Sequence, residues 1–121
     1  MKILRMRSWN FHADDLDKMT RFYQEGLGAE MRTMHTVSGV KVARLRLGET
    51  GVGLFDASEK QAPGVPHHTF DIGGPSEANQ LVKELEAKGI KVEDIRPHGE
   101  GGGYSVYVTD PAGNRLELSK D

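Results

Sequence analysis

The order of structure-forming signals along this chain occurs twice. A strand-like run, a helical stripe and three more strand-like runs fill residues 1–60, and the same succession fills residues 66–121. A repeat of about sixty residues constrains a fold more tightly than any single motif, because each copy has to solve the same burial problem. Ala62-Pro63-Gly64-Val65-Pro66 stands between the copies and reads as a linker.

In the first copy, residues 2–13 alternate as a strand does, and Asp14-Asp15 can cap the helix that follows. Leu16, Met19, Phe22, Tyr23 and Leu27 form an apolar stripe at helical spacing, with Gly26 or Gly28 placed to end it. Strands are predicted at 29–38, 40–47 and 51–57. In the second copy, His67 to Ile72 reads as a strand, and Gly73-Gly74-Pro75-Ser76 opens a helix with Ala78, Leu81, Val82 and Leu85 inward and Gly89 as its stop. Strands follow at 90–96, 104–109 and 114–119. The expected fold is therefore α+β. Two tandem βαβββ modules, 1–60 and 66–121, form one domain in which a curled mixed sheet surrounds a cavity and the helices lie outside.

Composition removes several classes of function. With no cysteine there is no disulfide, thiolate ligand or thiol nucleophile. Sixteen basic and eighteen acidic side chains leave a net charge of −2, with no basic patch beyond Arg5-Met6-Arg7 and Arg44-Leu45-Arg46. Those arginines alternate along strands and read as solvated faces, so nucleic acid is not an expected partner. No apolar leader or membrane-length run is present, which predicts a cytoplasmic protein with no membrane partner.

The residues with chemistry concentrate on strand faces. Asp110-Pro111-Ala112-Gly113-Asn114 is a hairpin turn, and the strand after it carries Glu117. His67 opens the second copy, and a His and a Glu on strands of one sheet make the leading site candidate. Alternation puts Ser8, Asn10 and His12 on one face of the first strand. At ~3.3 Å per residue His12 lies roughly 13 Å along from Ser8, a place for a general base or hydrogen-bonder at a cavity mouth. Thr69 and Asp71 share the His67 face, and Ser105 and Tyr107 share another. Arg115 shares the Glu117 face, where it is placed to clamp an anionic substrate. Pro97 to Gly103 holds four glycines in seven residues, which predicts a mobile loop and a lid rather than a phosphate cradle. His98 within it reads as exposed, and His35 has no visible partner.

Asp15-Leu16-Asp17 through Phe22-Tyr23 to Leu27-Gly28, His67 to Phe70, and Asp110-Pro111-Ala112-Gly113-Asn114 to Glu117-Leu118 together resemble the vicinal oxygen chelate superfamily. That superfamily includes glyoxalases, extradiol dioxygenases, fosfomycin-resistance enzymes and bleomycin-binding proteins. The resemblance covers almost the whole chain. It implies a homodimer, and up to four metal ligands on the first and fourth strands of each unit. Those positions fall at Ser8, Phe55, His67 and Glu117. His67 and Glu117 suit a divalent ion such as zinc, nickel, manganese or iron, whereas Ser8 is neutral and Phe55 cannot ligate. Two readings stay open: an ion held by this incomplete set, or no cofactor, with the pair left as a remnant.

The implied function is an enzyme acting on a small oxygenated metabolite by glyoxalase-like proton transfer, of lyase or isomerase type. Glu117, His12 and Tyr107 would be its catalytic groups. Ser8, Asn10, Phe55, Thr69, Asp71, Ser105 and Arg115 would line its cavity, Ser105 and Tyr107 at positions that contact substrate in fosfomycin-resistance enzymes. Ring-cleaving dioxygenase chemistry is not expected, since its iron triad needs a His at position 8. The alternative is a metal-free protein that binds or sequesters a drug, as bleomycin-resistance proteins do.

Overall fold

The computed structural model describes the whole chain, Met1–Asp121. Its elements run β1 (Ile3–Ala13), α1 (Leu16–Arg21) with a π-helical turn (Phe22–Gly26), β2 (Glu30–Val37), β3 (Val40–Leu47) and β4 (Thr50–Asp56). The second succession is β5 (His67–Ile72), α2 (Ala78–Ala87), β6 (Val92–Pro97), β7 (Tyr104–Thr109) and β8 (Arg115–Lys120). The strands are hydrogen-bonded in the order β2-β3-β4-β1-β5-β8-β7-β6. The sheet is mixed: β1 and β4 run parallel, and the hairpins are antiparallel. The expected α+β class is thus present, with the element order repeated. No helix is long and apolar enough to cross a membrane.

Two compact units make up the chain, Arg7–His67 and Met1–Met6 with His68–Asp121. In the first, strand alternation sends Phe11 and Ala13 of β1 toward the helix and Asn10 and His12 to the other face. Ala13, Leu16, Ala43, Leu45, Val52 and Leu54 are buried together there, with Met19 and Tyr23 of the helical segment packed on them. On the opposite face Val40, Val42, Phe55 and Ala62 form a smaller cluster.

The helix differs from its expected form. Asp15 does cap it, its carboxylate accepting the Lys18 N–H at 3.1 Å. The α-helix ends at Arg21, however, and the π turn that follows rotates the apolar stripe out of register. Leu16, Met19 and Tyr23 stay inward, while Phe22 and Leu27 are left 57% and 51% exposed. Gly28, at φ +76°, then turns the chain toward β2.

In the second unit Leu81 and Leu85, one turn apart on α2, are buried against Ile72, Tyr104, Val106, Val108 and Leu118. The Tyr104 hydroxyl donates to Pro75 O at 2.6 Å, tying the segment before α2 to β7. Register in the final hairpin sets Tyr107 opposite Glu117 and Ser105 opposite Ser119. Its turn is held by Asp110, whose carboxylate accepts from Ala112 N at 3.0 Å, Asn114 N at 2.8 Å and Asn114 Nδ2 at 2.9 Å. The Asn114 side chain, then backbone N–H groups, hold the Asp110 carboxyl below its ordinary 3.8.

Two outcomes follow for stability. A carboxylate whose folded pKa is depressed stabilises the fold above its unfolded pKa, and that contribution is lost as pH falls through the folded value. Asp110→Ala should therefore lower the thermal midpoint at pH 7, and the gap from wild type should close only below pH 3.8; a gap that is constant with pH would contradict this account. Leu81→Ala, at a site with no exposure, should cost about 2–5 kcal/mol in denaturant unfolding.

Candidate functional site

The face of β5, β7 and β8 turned away from α2 is polar, and a buried carboxylate sits within it. Glu117 is 8% exposed. Its Oε1 accepts from Thr69 Oγ1 at 3.0 Å, and its Oε2 accepts from Ser105 Oγ at 2.7 Å. Arg96 Nη2, from β6, lies 3.7 Å from Oε2. Burying a charge without such donors and a counter-ion would be prohibitive.

Ser105 has a second neighbour. His98 Nε2 lies 2.9 Å from Ser105 Oγ. Serine has one proton, and here it goes to Glu117, so the His98 contact requires the proton on Nε2 with Ser105 accepting. The three side chains form a directed line, His98 to Ser105 to Glu117. The loop that carries His98 is closed by His98 N–H to Gly103 O at 3.1 Å. Gly103 has φ +94°, and a Cβ there would collide with Lys120 O and come 2.8 Å from His98 Nδ1. The glycine-rich segment is therefore a tied turn that delivers an imidazole inward.

Tyr107 is buried beside Glu117, its ring flanked by the Arg115 and Arg96 guanidinium carbons at 4.3 and 5.7 Å from the centroid. Its phenol is pushed up to about 12, first by burial and then by the Glu117 charge, against the opposing pull of Arg96 and Arg115. Tyr107 thus keeps its proton at neutral pH and acts as a donor, not a base. Arg115 covers this ring, with Nε 3.9 Å from Glu93 Oε2. Asp71, expected to face a cavity or water, is 6% exposed and paired with Arg5 Nε at 2.8 Å.

The other unit has its own polar face, opposite α1. Asn10 is 2% exposed; its Oδ1 accepts from Arg44 Nη1 at 3.0 Å, and its Nδ2 donates to Ser8 Oγ and His67 O, both at 3.4 Å. Arg44 Nε donates to His35 Nε2 at 3.0 Å, and its guanidinium carbon lies 5.3 Å from the Phe55 centroid. His12 is half-buried, and its Nε2 is buried without a hydrogen-bond partner. His67 opens β5 with Nδ1 3.0 Å from Gly64 O, a carbonyl, so Nδ1 carries a proton and donates it to that oxygen.

The residues at the four anticipated ligand positions fit a resident metal poorly. His67 and Glu117 are two donors, and even open catalytic zinc sites generally use three. Both Glu117 oxygens already accept hydroxyl protons, Ser8 Oγ accepts an amide, and Phe55 is apolar. Nowhere do three His, Asp or Glu side chains come together in a way that could hold an ion.

Sequence reasoning missed Arg44, Arg96 and His98. Arg44 looked like a solvated strand residue, yet it is half-buried. A signal for it existed in Thr50-Gly51-Val52-Gly53, since glycine inside a strand marks close approach of another group. For His98 only the glycine run hinted at an unusual path.

A family model described as the Glyoxalase/Bleomycin resistance protein/Dioxygenase superfamily matches residues 9–118. Metallothiol transferase FosB of Staphylococcus epidermidis is 27% identical over 124 residues, spanning 98% of this chain and 82% of that protein. Methylmalonyl-CoA epimerase from Mycobacterium tuberculosis has the same fold, with a TM-score of 0.74 at 16% identity over 98% of this chain and 88% of that one. A Streptomyces coelicolor methylmalonyl-CoA epimerase variant in complex with 2-nitronate-propionyl-CoA gives 0.73 at 20% identity over 99% of both chains.

The donor network around Glu117 is open to direct measurement. Ser105→Ala removes a donor to a buried carboxylate and should cost about 1–3 kcal/mol in urea unfolding. An unchanged midpoint would mean that the Ser105–Glu117 bond is not maintained in solution.

Proposed function

This chain belongs to the glyoxalase/bleomycin resistance protein/dioxygenase superfamily, and we propose that it is a small enzyme that moves a proton on a small oxygenated metabolite. The observation that carries this reading is the buried, multiply held carboxylate of Glu117. A general base has to be aimed as well as basic, and Thr69 and Ser105 fix both oxygens of this one. Glu117 takes a proton from carbon next to a substrate carbonyl, the C–H pair becomes a carbon–carbon double bond as the carbonyl π pair moves onto oxygen to give an enolate, and the reverse flow returns the proton to carbon. Tyr107, which keeps its proton, is the neighbouring donor, and Arg96 supplies positive charge beside the carboxylate. His98 acts through Ser105 as a positioning residue.

The likeness to epimerases supports the fold of such a site, and the metallothiol transferase brings a metal into consideration. With only His67 and Glu117 as donors, the chemistry is assigned to protein groups alone.

Deuterium exchange tests this. Wild type and Glu117→Gln, treated with EDTA, are incubated in heavy water with a panel of 2-oxo acids, 2-hydroxyaldehydes and acyl thioesters, and carbon-bound protons are followed by NMR. Wild type should wash out the proton of at least one compound, and Glu117→Gln should slow this by about 10²–10⁴-fold. Exchange that begins only when zinc, nickel, manganese or ferrous ion is added would overturn the metal-free assignment. Ligand-induced shifts without exchange in any compound would instead favour a sequestering protein.

A further inference from the structure

On the polar face of the second unit, Arg96 stands beside the base without being hydrogen-bonded to it. β6 is the last strand in the sheet order, and its register sets Arg96 opposite Ser105 and Asp94 opposite Tyr107. The Arg96 side chain lies across the Tyr107 ring, its guanidinium carbon 5.7 Å from the centroid, and its Nη2 comes to 3.7 Å from Glu117 Oε2. We infer that Arg96 anchors a carboxylate group of the substrate, and that the substrate is a small 2-oxo acid. The inference deepens the proposed function by naming a substrate class, and it rests on that reading for the reaction but not for the binding.

The separation of 3.7 Å exceeds that of a charge-assisted hydrogen bond, which closes to ~2.7–2.9 Å. Glu117 Oε2 already accepts the Ser105 hydroxyl at 2.7 Å, and Oε1 accepts that of Thr69 at 3.0 Å. The guanidinium thus feels the attraction of Glu117 and keeps its planar fork for another acceptor. With its side chain 61% exposed on an edge strand, Arg96 is where this site meets solvent. The ring beneath supports the guanidinium without taking its donors. A cation oriented before binding loses less freedom when a ligand arrives.

The surrounding charges point the same way. Arg115 lies on the same ring, 4.3 Å from the centroid, so two guanidinium groups share one aromatic surface and repel each other. Arg115 has Glu93 at 3.9 Å, whereas the carboxylate nearest Arg96 is the one the reaction uses as its base. The acids of β6 have partners of their own: Glu93 also accepts the Thr109 hydroxyl, and Asp94 accepts the Ile95 N–H at 2.9 Å. An anion settling on Arg96 relieves the repulsion between the two cations.

The chemistry selects the ligand class. A planar fork matches the two oxygens of a carboxylate, with charge assisting both hydrogen bonds. Glu117 in turn requires an acidic carbon next to a carbonyl. In a 2-oxo acid the carboxylate oxygen and the carbon beyond the ketone are about 3–4 Å apart. That matches in scale the 3.7 Å between Arg96 Nη2 and Glu117 Oε2. One short molecule therefore meets the cation and the base together.

Pyruvate and hydroxyacetone make the test pair, since they share the methyl ketone and differ in the carboxylate. The full-length, nitrogen-15-labelled chain is dialysed against EDTA and titrated with each. Saturable shifts with pyruvate are expected at the Arg96 Nε–H signal and at the amides of Ser105, Tyr107 and Glu117, with hydroxyacetone weaker by roughly tenfold or more. Arg96→Gln should erase that preference. Arg96→Lys, which keeps the charge beside Glu117 and loses the fork, should restore only part of it, with the backbone spectrum of wild type. No saturable pyruvate shift in wild type, an undiminished preference for pyruvate in Arg96→Gln, or inorganic phosphate bound as tightly as pyruvate would each overturn the proposal. Glu117→Gln should bind pyruvate at least as tightly as wild type, because a negative neighbour is gone. Arg96-dependent pyruvate binding without exchange in any compound would sink the proton-transfer reading alone. Exchange in other compounds with no pyruvate binding would sink this inference alone.

Discussion

A β-strand shows successive residues to opposite sides, and in both units one of those sides is covered by a helix. Everything else follows from that division. Phe11 and Ala13 go to the α1 core while Asn10 and His12 go to the other face; Val106, Val108 and Leu118 go to the α2 core while Ser105, Tyr107 and Glu117 do not. A one-residue slip in β8 would bury Arg115 and Glu117 under α2 and expose Leu118. The apolar packing therefore fixes where the carboxylate stands, with no contribution from the carboxylate itself.

Each polar face then has to make burial tolerable for charged groups, and the two faces do so in related ways. On one, Arg44 lies over Phe55; on the other, Arg115 and Arg96 flank Tyr107. An aromatic ring gives a guanidinium an attractive surface without competing for its hydrogen bonds, which stay available for fixed partners. Glu117 is handled by hydroxyls instead. Thr69 and Ser105 each donate a hydrogen bond to it, and the Tyr107 phenol, pushed up by burial and by the Glu117 charge, keeps its proton.

Most of the fold was legible because its signals are local. The Asp15 cap, the Asp110 turn, the stop at Gly89 and the alternation of β7 each reside in a few neighbouring residues. The face shared by Ser8, Asn10 and His12, and that shared by Ser105 and Tyr107, follow from alternation within one strand, whereas the place of Glu117 opposite Tyr107 comes from the register of β7 with β8. What escaped depends on register between distant strands. Arg44 acquires its meaning only when Gly53 and Asn10 line up beside it, and His98 only when its loop folds back over Ser105. The π turn after Arg21 escaped because the apolar spacing of Phe22 and Leu27 fits an unbroken helix equally well. Asp71 read as a site residue by alternation, and its pairing with Arg5 comes from outside its own strand.

Ser105 has one proton, and that fact ties the glycine-rich turn to the carboxylate. With the segment around Gly103 folded as a tied turn, His98 occupies the serine oxygen and the hydroxyl hydrogen has a single destination. The path of the glycine turn and the direction of the Ser105 bond to Glu117 are therefore settled together, at a single hydroxyl.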